Sequence, residues 1–86
     1  MATHLDAGIL TFKEPVRVRT GETFKSAWAK FPVAITETSV MCLGETTAGR
    51  PNDDDVVAFF PNGQVVGYVA CPECPEGFYN LNPQVP

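Results

Sequence analysis

Basic side chains are scarce in this chain. Six lysines and arginines stand against ten acidic residues, for a formal net charge of −4 and an isoelectric point near 4.7. So few cations cannot neutralise a run of phosphates, which argues against a general nucleic-acid binder. Long hydrophobic runs are missing too. No stretch reaches the roughly 20 apolar residues that cross a bilayer as a helix. The start, Met1 to Asp6, lacks the basic-then-apolar layout of a secretory signal. The expected location is the cytoplasm or a virion, with no membrane and no nucleic-acid partner. Histidine occurs once, as His4, so any triad or thiol–imidazole pair would have to rely on that residue. No glycine-rich phosphate loop follows a strand. Cysteine occurs three times, an odd count that does not suit a disulfide scaffold. Together these shortages point away from an enzyme.

What is present is one small unit. At 86 residues and 44% hydrophobic composition, the chain sits near the size at which a single core becomes marginal. From Gly8 to Arg19, Leu10, Phe12, Val16 and Val18 share one parity while Thr11, Lys13, Arg17 and Arg19 share the other, the period of a half-buried strand pair. Glu14 and Pro15 interrupt it, because proline cannot donate to a ladder. Lys13, Arg17 and Arg19 are half of the basic residues, and form either a docking stripe for an acidic partner or a solvated face.

The spacing of Phe24, Ala27, Trp28 and Phe31 predicts a short helix between Thr20 and Pro32, with a threonine cap at its start and proline as its stop. Trp28 reads either as an interface anchor or as core. Val33 to Leu43 reads as a strand kinked near Glu37 to Ser39, and Gly44 to Asp55 as a loop. Its aspartates, Asp53 to Asp55, lack the ligand spacing of a calcium-binding loop. Val56 to Phe60 and Gln64 to Ala70 flank Pro61, Asn62 and Gly63, which predicts a β-hairpin.

Cys71 and Cys74 form the one motif with chemistry attached. The pair resembles half of a zinc ribbon or knuckle, including a proline inside it, but glycine does not follow and no second pair exists. Cys42 and His4 are the remaining candidate ligands. A thioredoxin-like role fits poorly, because Pro75, Glu76 and Gly77 do not start a helix. From Gly77 to Pro86 no side chain is charged, and Phe78, Tyr79, Leu81 and Val85 are large and apolar. Pro72, Pro75, Pro83 and Pro86, all within the last fifteen residues, stiffen the arm and lower the entropy lost on docking.

The expected fold is mainly β with one short α-helix, a small antiparallel barrel or sandwich. Residues 1–70 would form a compact β-rich domain and 71–86 an extended, proline-rich C-terminal arm. The expected role is that of a non-enzymatic interaction protein, oligomeric or present in many copies, docked on a larger protein assembly such as a viral capsid as a cement, decoration or other accessory subunit. Its grip would come from Phe78, Tyr79, Leu81 and Val85, with Arg17, Arg19 and Trp28. Two alternatives stay open: a small zinc-binding module built on Cys71 and Cys74, or a compact phage-encoded protein inhibitor.

Overall fold

Alternating side chains from Gly8 onward build β1 (Gly8–Arg17), in which Leu10 and Phe12 are buried while Thr11 and Lys13 face water. The computed structural model describes residues 4–18, 20–35, 39–61 and 63–82. β1 pairs antiparallel on one side with β2 (Thr23–Ala29) and on the other with β6 (Val65–Ala70). With β7 (Tyr79–Asn80), parallel to β2, these strands make a four-stranded sheet of order β6-β1-β2-β7. Glu14 and Pro15 lie where the register against β2 slips, between Thr11 and Val16. The break is where Pro15, which has no N–H, could not have held the ladder.

The helix expected between Thr20 and Pro32 is not formed. That segment contains β2, and the described residues include no helix. In the row Tyr68, Leu10, Ala27, Tyr79 the side chains enter the core, whereas the next row, Val69, Ile9, Trp28, Asn80, points to the opposite face. A strand covered on both faces carries apolar residues at successive positions. The 24, 27, 28, 31 spacing therefore mimics a helical stripe, and ladders from two neighbours outweigh a modest helix propensity.

A second, three-stranded sheet has the order β3-β4-β5, with β3 (Pro32–Val33), β4 (Ser39–Glu45) and β5 (Pro51–Pro61) antiparallel in turn. The expected strand from Val33 to Leu43 is thus split between β3 and β4. Of the kink expected near Glu37 to Ser39, residues 37 and 38 lie outside the described residues and Ser39 begins β4. The loop expected from Gly44 to Asp55 contracts to a turn in which the Thr46 amide donates to the Arg50 carbonyl at 2.8 Å and the Gly49 amide to the Thr46 carbonyl at 3.0 Å. Asp53, Asp54 and Asp55 consequently lie on a strand.

The turn at Pro61 to Gln64 also forms, with the Gln64 amide bonded to the Pro61 carbonyl at 3.1 Å and Gly63 at φ 85°. The hairpin expected around it does not. β5 pairs with β4 and β6 with β1, so this turn carries the chain from one sheet to the other. A tight turn dictates reversal of direction, not pairing. Before it, Phe60 packs on Phe12 at 4.7 Å between ring centroids, and after it Val65 takes its place beside Phe12 on β1.

Leu10, Phe12, Ala27 and Ala29 from the first sheet meet Val40, Cys42 and Phe60 from the second in one core. Leu81 completes it, only 6% exposed. Residues 78–82 are therefore not a free arm. Asn82 fastens them: its Nδ2 donates to the Leu43 carbonyl of β4 at 2.7 Å and its Oδ1 accepts the Lys30 amide, in the connection between β2 and β3, at 2.7 Å. Such bonds are what burial of an amide side chain requires.

Candidate docking surface

Sheet order leaves β5 and β6 as edge strands, joined by the turn at Pro61 to Gln64. Each carries large apolar side chains in water. On β5, Val56 is 48% and Phe59 58% exposed; on β6, Val66 is 62% and Val69 65% exposed. Register explains why. Met41 and Phe59 are opposed on the face of their sheet turned from the core, while Val40 and Phe60 are opposed inside it. Phe59 borders a groove of 520 Å³ between β5 and the distal half of β1, whose walls include Glu14, Val16, Arg17, Val57 and Tyr79. The groove exists because β1 leaves register at Glu14 and Pro15. It has an apolar floor and one charge of each sign from β1 on its walls.

The residues expected to grip a partner are distributed differently. Arg17 is exposed and borders this groove. Tyr79 borders it too, but is half-buried and stacked on Phe24 at 5.4 Å. Leu81 closes the groove's inner end as part of the core. Phe78 is half-buried away from the groove lining. Arg19 and Val85 lie outside the described residues. Trp28 is 5% exposed, and its indole N–H donates to the Cys71 carbonyl at 2.9 Å. β6 and β7 are opposite edges of one sheet, so residues 71–78 must cross it. The bond from Trp28 sets that crossing on the face away from the core. Trp28 is covered by its own chain.

The candidate zinc ligands are not gathered. Cys42 is buried in the core, and burial pushes its thiol up to about 12. His4 pairs with Asp53 at 3.4 Å. Cys71 and Cys74 remain neighbours in the crossing. The Cys71 thiol donates to the Glu73 carbonyl at 3.0 Å and the Cys74 thiol to the Phe78 carbonyl at 3.4 Å. Burial first, then the charge Cys71 would carry as a thiolate, raise the Cys74 pKa. Among the described residues no group of three or more His, Cys, Asp or Glu side chains is assembled to hold a metal.

Comparison with protein-family models, curated proteins and solved structures finds no match to this chain. Its surface has to be read from its own chemistry. Phe59, Val66, Val69 and Asn82 carry most of the arrangement, and sequence reasoning singled out none of them. Phe59 and Val69 sit in apolar runs whose exposed members cannot be told from buried ones without the strand partners. Asn82 is one of several uncharged polar residues in the tail, with Asn80 and Gln84, and no sequence pattern sets it apart.

Proposed function

We propose that this chain is a non-enzymatic interaction protein that docks on a larger protein assembly, in the manner of a capsid cement or decoration subunit, with its two sheets stacked as a small open sandwich. The observation that carries this reading is Phe59, a large aromatic residue 58% exposed on an edge strand beside an apolar groove. Aromatic side chains held on rigid strands are the usual anchors of protein interfaces. An open edge adds backbone donors and acceptors that a partner's extended segment can complete. The acidic stretch Asp53 to Asp55 on the same strand selects a partner segment with basic residues, which meets β5 as an added strand and places an apolar side chain in the groove. The grip therefore lies on β5 and Arg17 of β1, while Leu81 and Asn82 stabilise the globule from within.

Gradient sedimentation of a lysate of the source, with the chain followed by antibody, tests this. The wild-type chain is expected in the fast-sedimenting fractions with the assembly, and F59K, which leaves the buried core untouched, is expected near the top at the position of a 9.3 kDa protein. Wild-type protein found only at the top overturns the reading.

A further inference from the structure

We propose that the open edge of β6 pairs with β6 of a second copy of this chain, antiparallel about a two-fold axis, so that two four-stranded sheets become one continuous sheet. The inference stands apart from docking through β5, because it rests on a different edge.

Charge makes the first case. From Pro61 to Pro72 there is no Asp, Glu, Lys, Arg or His, although the whole chain carries a net charge of −4. Two copies that repel overall meet least repulsion along this edge. A neutral edge gives a charged foreign partner nothing to select, whereas a two-fold interface needs only that apolar residues oppose apolar residues.

The backbone makes the second. The Cys71 amide donates to the Ala7 carbonyl at 2.8 Å, which fixes the phase of the β6–β1 ladder. In an antiparallel pair the direction of bonding alternates along the strand. Val69 and Gly67, in register with Ile9 and Thr11, therefore bond to β1, and Tyr68 and Ala70 turn their amides and carbonyls to the open edge. Monomeric proteins blunt such an edge with charge, proline or a bulge. Here the one device is the bulge at Val66, where β6 gains a residue against β1 between Val65 and Gly67. Among the described residues, Gly67 to Ala70 is left regular and unprotected.

Side chains then choose the register. Centring the two-fold axis on Val69 sets Tyr68 against Ala70 of the second copy and Ala70 against its Tyr68, so all the bare groups find partners. Val69 meets its own counterpart at a non-hydrogen-bonded position, where opposed side chains come closest. Val69 is 65% exposed in the monomer, and this register covers it. A contact of so few residues gives a reversible dimer, with a dissociation constant on the order of 100 µM.

Sedimentation equilibrium up to about 1 mM protein tests the proposal. The wild-type chain is expected to dimerise, V69K to dissociate at least about tenfold more readily, and F59K to behave as wild type. Hydrogen exchange adds a readout that needs no variant: the Tyr68 and Ala70 amides should slow as concentration rises, while the Val69 amide, already bonded to β1, should not change. A wild-type monomer at 1 mM, V69K that dimerises as tightly as wild type, exchange at Tyr68 and Ala70 independent of concentration, or association lost in F59K instead would each overturn it.

Discussion

β5 and β6 follow one another in the chain and both end a sheet, yet their edges differ in kind. β5 is bounded by Pro51 and Pro61, carries three consecutive exposed aspartates, and slips register twice against β4. β6 has no charge, no internal proline and one bulge. An unpaired row of amides and carbonyls is common to both. The side chains around that row decide what it can accept: the carboxylates of β5 would repel a second copy of the same strand, whereas β6 carries no charge that would do so. Edge character is therefore a property of a strand's charge, beyond its place in the sheet order.

The largest expected effect tests whether the two edges belong to one cooperative unit. Cys42 lies on β4, beside Ala58 of β5, and its thiol is pushed up to about 12 by burial, against an ordinary value of 9.0. The folded protein holds this proton more tightly than the unfolded chain does. The stabilisation is thus complete below pH 9 and is lost as pH rises from 9 toward 12, by on the order of 1 kcal/mol per pH unit. Trp28 sits in the other sheet, so its fluorescence during urea unfolding reports whether the loss is shared. Midpoints that fall together by Trp28 fluorescence and by far-UV dichroism are expected in this range. C42A should remove most of the slope, leaving a residue from Tyr68 and Cys74, whose pKa values burial also raises. Transitions that separate would show that the sheets unfold apart, and the two edges would have to be treated as belonging to different units.

Next in size is G8A, which acts on β6 alone. A Cβ on Gly8 would stand 2.5 Å from the Val69 carbonyl oxygen and 2.6 Å from the Tyr68 ring, and the backbone of β6 cannot yield without leaving β1. A loss of about 1–3 kcal/mol is expected by thermal or urea unfolding. The β5 counterpart, G44A, meets the Asp55 carboxylate, the far end of a side chain that can rotate away, and should cost less. If G44A proves the more damaging, the Asp55 end of β5 is the more rigidly held and the contrast between the edges reverses.

Legibility of these edges in the sequence was uneven, for physical reasons. β1 could be read directly, since one of its faces is buried and the other wet, and period two follows from that. β2 could not, because its covering on both faces erases the alternation and leaves an aromatic spacing that two geometries satisfy. Gly63 correctly marked a turn, but which strands pair beyond a turn is decided by contacts distant in sequence, here Phe60 with Phe12. Phe78, Tyr79 and Leu81 are expected from the sequence to grip a partner, but Leu81 lies in the chain's own core and Phe78 and Tyr79 are half-buried. That placement is fixed by Asn82, which finds partners on β4 and on the connection between β2 and β3. As for the surface, Arg17 could be picked out, whereas Phe59 and Val69 emerged only once β5 and β6 were known to be edges.

The smallest expected change in stability belongs to the variant that most directly attacks the comparison. D53N/D54N/D55N keeps the shape of β5 and removes its charge, shifting the net charge from −4 to −1. Exposed substitutions of this kind alter stability by no more than about 0.5 kcal/mol, so unfolding midpoints should barely move. Self-association should rise, because a neutral β5 presents Val56 and Phe59 beside an open edge without the repulsion that kept copies apart. Adding F59K to the triple variant should return association to the wild-type level, which separates pairing through β5 from the dimer through β6. High salt should bring the wild-type chain toward the triple variant, since at about 1 M the screening length falls to roughly 3 Å. A triple variant that associates no more than wild type would assign the protection of β5 to its prolines and register slips, and charge would then cease to be what distinguishes the two edges.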